Sequence, residues 1–233
     1  MNRRKFTSNT LLAGGAALLS SSAFANEALS TSDAPFKSKF APHFGMFKHS
    51  AGNDFVDQIK FMHERGFRAL EDNGMMAKSL ADQERISKEM SRLGMEMGVF
   101  VIAFDNWPPK TTLASGKREW KETFLKKCRE AVPVAKRMNA KWMTVVPGNF
   151  DRTIPMGIQM AHVVDALRRA CDIFEPHGLT MVLEPLSDNP DLFMRTSDQT
   201  FLLCKAVNSP SCKILFDMYH MQRMREDYSV ILI

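Results

Sequence analysis

The sequence predicts an α/β protein built as a (β/α)₈ TIM barrel, of which about six βα units are present. Short apolar runs alternate with longer amphipathic stretches, and carboxylates stand where several of the apolar runs end. The composition, 45% hydrophobic and 24% charged, is that of a globular protein. With 233 residues, the chain is long enough to bury one large α/β core.

The apolar runs are rich in Val, Ile and Phe and are short enough to be buried strands. The predicted strands are 41–47, 67–71, 96–103, 142–147, 180–184 and 213–217. The predicted helices are approximately 53–65, 79–93, 118–138, 156–177 and 197–208. This alternation implies a parallel sheet with helices packed outside it. Gly178 is expected to end the fourth helix, and Thr196 with Gln199 forms a capping-box pattern at the start of the fifth.

A doubly wound sheet would satisfy the same alternation. However, no G-x-G-x-x-G sequence follows any of the predicted strands. Four carboxylates, at Glu71, Asp105, Glu184 and Asp217, fall at or just past the carboxyl end of a strand. In a barrel these positions surround the mouth, where the chemistry of such proteins takes place. The placement of the carboxylates therefore favours the barrel.

Residues 1–25 have the pattern of an export signal. Arg3 and Arg4 are followed by Lys-Phe, as in twin-arginine signals, then by an apolar stretch at 11–19 and an Ala23-Phe24-Ala25 cleavage site. The apolar stretch is too short to anchor the protein stably in a membrane. We therefore expect a periplasmic protein with a flexible lead-in at 26–40 and an incomplete barrel at 41–233.

The charge of the chain disfavours nucleic acid as a partner. The formal net charge is +5, and three of the positive charges lie in the export signal, at Arg3, Arg4 and Lys5. The remainder, about +2, is too small for a dedicated nucleic-acid surface.

The chain has four cysteines, Cys128, Cys171, Cys204 and Cys212, in no C-x-x-C pair and no zinc-binding spacing. Most fall on apolar helix faces, which favours buried thiols, although an oxidising compartment would permit disulfides.

The strongest local signal is Val182-Leu183-Glu184-Pro185. A carboxylate that ends a buried strand is costly unless a positive charge accompanies it. A metal ion would supply that charge, and an ion pair with a nearby Arg or Lys is the alternative.

The second signal is the run from Ile214 to His220, in which Asp217 ends another apolar strand and His220 follows three residues later. Carboxylate oxygens from two adjacent strands suit Mg²⁺ or Mn²⁺. An imidazole shifts the preference toward Mn²⁺, Co²⁺ or Zn²⁺. We therefore predict one divalent metal, with Mn²⁺ or Mg²⁺ favoured.

With V-L-E-P and F-D-M-Y-H-M-Q, the chain resembles the xylose-isomerase-like sugar isomerase and epimerase barrels, most closely the hydroxypyruvate-isomerase-like proteins. The resemblance runs from about residue 40 to 227. It implies that Glu184 and Asp217 are metal ligands, that Glu184 is also a catalytic acid/base, and that His220 contacts substrate or orients the ligands. It further implies an isomerase or epimerase of a small sugar or hydroxycarbonyl compound, with proton transfer through an enediolate.

Three further residues are candidates for substrate binding. Glu71 would bind substrate hydroxyls, and His43 would line the pocket, with a purely structural histidine as the alternative. Trp107 would shield the substrate from water or simply pack its loop. The expected partner is a small sugar or hydroxy acid, and the sequence leaves the oligomeric state open.

The resemblance also creates an expectation for the C-terminus. In the family, two further βα units supply a metal-binding His and a second catalytic Glu, but only sixteen residues follow Asp217. We therefore expect a truncated or frame-shifted C-terminus, and the alternative function is an inactive or sugar-binding remnant of such an enzyme. A phosphodiesterase related to barrel-type DNA-repair endonucleases is disfavoured, because a multi-metal cluster needs more histidines than this chain offers.

Overall fold

The structure is a computed structural model that describes residues 34–102 and 112–224. Within these ranges the α-helices are α1 (Lys48–Ala51), α2 (Phe55–Glu64), α3 (Leu80–Arg92), α4 (Arg118–Met138), α5 (Met156–Phe174), α6 (Ser197–Val207) and α7 (Met218–Arg223). The strands are β1 (Ala69–Leu70), β2 (Glu96–Met97), β3 (Val99–Val101), β4 (Trp142–Val145), β5 (Thr180–Leu183) and β6 (Cys212–Ile214). None of the helices in this part of the chain is long and apolar enough to cross a membrane.

All pairs between these strands are parallel, and neighbours in the sheet follow chain order. β1 pairs with β2, and the second group has the order β3-β4-β5-β6. Gly98 lies between β2 and β3, and its N–H donates to the carbonyl of Leu70 at 2.8 Å. A doubly wound sheet reverses its strand order at a switch point, whereas a barrel does not. The strand order therefore confirms the barrel prediction.

The expected first strand, 41–47, is wrong in extent. Only an isolated parallel bridge between His43 and Glu71 forms there. Gly45 has a φ of 90°, a conformation that strands do not use, and the chain then turns into α1. Phe44 packs against Phe55 with the rings tilted by 58° and their centroids 4.8 Å apart, so this segment forms part of an aromatic cluster.

The other predicted strands form, although all five are shorter than predicted, and the sequence signals at the helix ends are confirmed. A capping box of Thr196 and Gln199 begins α6. The short 3₁₀ turn after α5 ends at Gly178, which has the left-handed φ of 63°. The expected single strand 96–103 is interrupted at Gly98, where an added Cβ would lie 3.4 Å from the Leu70 carbonyl.

The core lies between the sheet and the helices α3, α4 and α5. Phe100, Met143 and Met181 from the strands are fully buried, as are Phe124 of α4 and Phe174 of α5. Burying side chains of this size supplies the main stabilisation, about 1.5–3 kcal/mol each. Because the strands are parallel, their carboxyl ends lie at the same edge of the sheet, where the polar residues of the site follow them.

Candidate metal centre

The end of β5 and the start of α7 position the two carboxylates of the centre. Glu184 directly follows β5, and its N–H donates to the carbonyl of Val145 at 3.3 Å, which continues the pairing with β4. Asp217 is the N-cap of α7 and accepts through Oδ1 from the N–H groups of Tyr219 at 2.7 Å and His220 at 3.4 Å. Each carboxylate is thus placed by backbone hydrogen bonds that the local sequence dictates.

The structure brings Glu184, Asp217 and His220 together. Each offers one ligand atom, and these atoms all lie within 4.8 Å of one another. His220 is buried, while the two carboxylates are partly buried. The imidazole Nε2 of His220 lies 3.8 Å from Oδ2 of Asp217. Three of the residues predicted to form the site therefore share one location at the end of β5 and β6.

The electrostatics of the cluster are strongly negative. Burial, together with the nearby carboxylates of Asp217, Glu71 and Asp188, raises the pKa of Glu184 to about 7. Among the described residues, no Lys or Arg forms an ion pair with Glu184. The predicted alternative, an ion pair that neutralises this carboxylate, is therefore not found in this part of the chain.

His220 is held in one orientation by Ser187. The backbone N–H of Ser187 donates to Nδ1 of His220 at 3.2 Å, and the Ser187 hydroxyl lies 3.0 Å from the same nitrogen. Because a backbone N–H can only donate, Nδ1 must be the unprotonated nitrogen. A neutral His220 therefore carries its proton on Nε2, the nitrogen nearer Asp217.

Glu71 and His43 meet each other beside this cluster. His43 Nε2 lies 2.6 Å from Oε1 of Glu71, and the two side chains are 32% and 31% exposed. Burial raises the pKa of Glu71; His43 opposes this effect, and the charge of Asp217 adds to it. The pair therefore lies within electrostatic range of the centre and remains accessible to a ligand.

Trp107 and Asp105 lie outside the described residues. Sequence analysis did not identify Ser187 and Asp188, which follow Glu184 in the same loop. Oδ1 of Asp188 lies 4.0 Å from Nδ1 of His220 and 3.5 Å from a guanidinium nitrogen of Arg223. The polar run 187–189 was a signal that could have identified them, since it also follows a strand end.

The donor set fits a divalent cation. Carboxylate oxygens of Glu184 and Asp217 are the ligands that Mg²⁺ and Mn²⁺ prefer. A cation would also offset the burial and the carboxylate repulsion that together raise the pKa of Glu184. Because Nε2 of His220 carries a proton, this ring acts as a hydrogen-bond donor at the edge of the cluster.

Solved structures share this fold. The chain is similar to a family 2 AP endonuclease from Brucella melitensis, with a TM-score of 0.72 and 21% identity over 83% of this chain and 74% of that one. It is also similar to a 3-keto-D-glucoside 4-epimerase from E. coli, with a TM-score of 0.69 and 16% identity over 84% and 74% of the two chains.

A third similar structure is that of the IolI protein with a bound zinc atom, with a TM-score of 0.65 and 14% identity over 82% of this chain and 67% of that one. At these identities the similarity establishes the fold. No curated protein sequence matches the chain significantly.

The sequence model of one protein family, the xylose isomerase-like TIM barrel, matches residues 59–232. The match covers most of the chain and includes Glu184, Asp217 and His220. It agrees with the parallel sheet in chain order and with the polar residues at its carboxyl edge. The chain therefore belongs to the xylose isomerase-like TIM barrel family.

Proposed function

We propose that the protein is a divalent-metal-dependent isomerase or epimerase of a small sugar or hydroxycarbonyl compound. The observation that carries this proposal is the convergence of Glu184, Asp217 and His220, whose ligand atoms lie within 4.8 Å of one another. Aldose–ketose and epimerisation reactions need a base beside a polarised carbonyl, and a cluster of this composition supplies both.

Glu184 and Asp217 would hold the metal, with Mn²⁺ or Mg²⁺ favoured and Co²⁺ and Zn²⁺ as alternatives. When bound, the cation acts as a Lewis acid that polarises the substrate carbonyl. The zinc bound to the IolI protein supports a metal in this fold.

Glu184 is the proposed acid/base. It is partly buried at the end of β5, beside the position that a cation would occupy, so its carboxylate can take and return a proton at a substrate carbon held there. It takes the proton from the carbon next to the carbonyl, which gives an enediolate. In an isomerisation it then returns the proton to the adjacent carbon on the same face. Epimerisation would need a second acid on the opposite face of the enediolate, the role that the family resemblance gives to a further Glu.

His220 and the Glu71–His43 pair are the proposed substrate-binding groups. The Nε2–H of His220 is available to a substrate oxygen, because Ser187 engages the other ring nitrogen. Glu71 accepts from substrate hydroxyls. A substrate hydroxyl would compete for the contact of 2.6 Å between Glu71 and His43.

The substrate class is a small ketose or a short hydroxycarbonyl acid. The similar protein from E. coli acts on a 3-keto-D-glucoside, which supports a carbonyl-bearing sugar. The resemblance of V-L-E-P and F-D-M-Y-H-M-Q to hydroxypyruvate-isomerase-like proteins supports hydroxypyruvate as the first compound to test.

The test is solvent exchange in D₂O. The full chain is supplied with Mn²⁺ or Mg²⁺ and incubated with hydroxypyruvate and with a panel of ketoses, and deuterium at carbons next to the carbonyl is followed by NMR. We expect metal-dependent incorporation with at least one substrate, abolished by EDTA and restored by adding the metal back.

One variant and a matched control test the role of Glu184 in that experiment. Glu184→Gln should abolish incorporation, whereas Glu122→Gln, which changes a 62% exposed side chain on α4, should leave it unchanged. Saturable sugar binding with neither deuterium incorporation nor product formation would overturn the enzymatic proposal and support the alternative, a sugar-binding remnant. Full activity of Glu184→Gln would remove this residue from the mechanism.

We also propose that the protein is exported to the periplasm by the twin-arginine route, since Arg3 and Arg4 precede an apolar stretch and an Ala23-Phe24-Ala25 site. A double variant with Arg3→Lys and Arg4→Lys should keep the precursor inside the cell. The unchanged protein should be found in the periplasm, with Asn26 as its first residue. Equal export of both proteins would contradict the route.

A further inference from the structure

We propose that Cys204 and Cys212 are an oxidation site, a dithiol that closes to a disulfide joining α6 to the edge strand β6. Their Sγ atoms lie 3.9 Å apart in the reduced protein. A disulfide bond is about 2.0 Å long, so closure needs the two side chains to rotate toward each other from van der Waals contact. This pair lies in a different part of the fold from the metal centre and is independent of the proposed enzymatic function.

The turn between the two cysteines is short and hydrogen-bonded, so the two thiols stay close. The N–H of Asn208, which has the left-handed φ of 56°, donates to the carbonyl of Cys204 at 2.9 Å. The Ser209 hydroxyl accepts from the N–H of Ser211 at 3.0 Å and donates to Glu175 at 2.6 Å. These contacts fix the route from the end of α6 to the start of β6, which holds Cys212 beside Cys204.

The two thiols differ in access. Cys204 is partly exposed and lines an open groove of about 490 Å³, whereas Cys212 is only 1% exposed. Lys205 and Lys213 line the same groove. Positive charge favours the thiolate form and attracts an anionic reagent. Cys204 is therefore the attacking thiol, and Cys212 is the resolving thiol.

The electrostatic environment agrees with this division. The hydrogen bond with Cys212, assisted by the charge of Lys213, lowers the pKa of Cys204. Burial raises the pKa of Cys128 and of Cys171, which keeps both as unreactive thiols. Cys128 and Cys171 therefore serve as internal controls, because they carry the same thiol group in unreactive surroundings.

The oxidant is a small-molecule disulfide such as glutathione disulfide. The Cys204 thiolate attacks one sulfur of that disulfide, which breaks its S–S bond and releases one glutathione thiolate. Cys212 then loses its proton to solvent and attacks Sγ of Cys204, which forms the internal disulfide and releases the second glutathione. Two protein thiols are oxidised by two electrons in total, and one glutathione disulfide is reduced to two thiols.

Closure would tie the end of α6 to the strand that leads to the metal centre. β6 ends at Ile214, and Asp217 follows three residues later. β6 pairs with β5 on one side only among the described strands. A covalent link on its helix side would therefore reduce the movement of this edge strand and raise the melting temperature.

The test is peptide mapping of the full chain after equilibration with glutathione disulfide. Trypsin places the four cysteines in different peptides, with Cys204 in 196–205, Cys212 in 206–213 and Cys171 in 170–195. We expect a disulfide-linked pair of 196–205 and 206–213, the loss of two of the four free thiols, and an increase in Tm that dithiothreitol reverses.

Matched variants make the result decisive. Cys171→Ser should retain the linked pair, and Cys204→Ser should lose it and keep its remaining three thiols reduced. Cys212→Ala should accumulate a glutathione adduct on peptide 196–205, a result that does not depend on closure. Four free thiols in the native protein after equilibration, or a link to peptide 170–195, would overturn the proposal.

Discussion

The N–H of Ser187 donates to Nδ1 of His220 at 3.2 Å, so the loop after β5 sets the protonation pattern of an imidazole on α7. Ser187 lies three residues after Glu184, and His220 lies three residues after Asp217. The two strand-end carboxylates are therefore linked through the residues that follow them. This hydrogen bond connects the loop after β5 to α7, and both elements position residues of the site.

The first prediction concerns the tautomer of His220. At a pH of about 8, ¹⁵N NMR of the histidine-labelled protein should show this ring protonated on Nε2, because Nδ1 accepts from a backbone N–H. His220→Asn keeps an acceptor near the Nδ1 position but lacks a donor at Nε2. We expect it to fold normally and to lower kcat/KM by about tenfold or more, the equivalent of one hydrogen bond to substrate. Protonation on Nδ1 would contradict the assigned role.

The second prediction concerns the pH dependence of stability without metal. The pKa of Glu184 rises on folding from 4.5 to about 7, so the folded chain binds more protons than the unfolded chain between these values. The free energy of unfolding must therefore fall as the pH rises through this window. Glu71, whose pKa is also raised, adds an effect of the same sign.

Urea unfolding at pH values from about 5 to 8, with EDTA present, measures this effect. The unchanged protein should lose stability over the range, and Glu184→Gln should lose less, because it removes the larger of the two shifts. Parallel pH profiles for the two proteins would show that Glu184 does not titrate as the structure implies.

The third prediction concerns the ion pair of Lys78 and Asp72. Asp72 directly follows Glu71 in the chain. Nζ of Lys78 lies 2.7 Å from Oδ2 of Asp72, with side chains only 13% and 9% exposed. The same ammonium lies over the rings of Phe55 and Phe44, at 4.7 Å and 5.3 Å from their centroids. This contact anchors the segment that carries Glu71.

Lys78→Met leaves the Asp72 carboxylate buried without its partner, which should cost about 3–5 kcal/mol of unfolding free energy. Lys60→Met is the matched control, because Lys60 is 47% exposed and only 3.5 Å from Asp57 in a surface pair. Its effect should stay within about 0.5 kcal/mol. Equal effects of the two substitutions in urea unfolding would contradict the structural role of the buried pair.

The barrel and the convergence of the strand-end carboxylates could be predicted from the sequence, because both depend on local pattern. Glu184 and Asp217 each end an apolar run, and parallel pairing of β5 with β6 brings such ends together. The same reasoning failed for the segment around His43. There, Gly45 and the packing of Phe44 on Phe55 outweigh the β propensity of the segment.

Contacts between side chains of different elements could not be predicted from pattern. The bond from Ser187 to His220 spans 33 residues, and neither residue alone indicates the other. The approach of Cys204 to Cys212 depends on the turn around Asn208, whose left-handed conformation no periodicity reveals. Such pairings follow from the folded path of the chain.

The central claim is that Glu184 and Asp217 hold a divalent cation, and calorimetric titration of the metal-free full chain with Mn²⁺ tests it most directly. We predict one binding site at neutral pH, with affinity lowered at least about tenfold by Glu184→Gln or Asp217→Asn and unchanged by Glu122→Gln. Binding should also weaken as the pH falls below about 7, because protons compete for Glu184. Mn²⁺ binding that is equally tight in all four proteins would contradict the account.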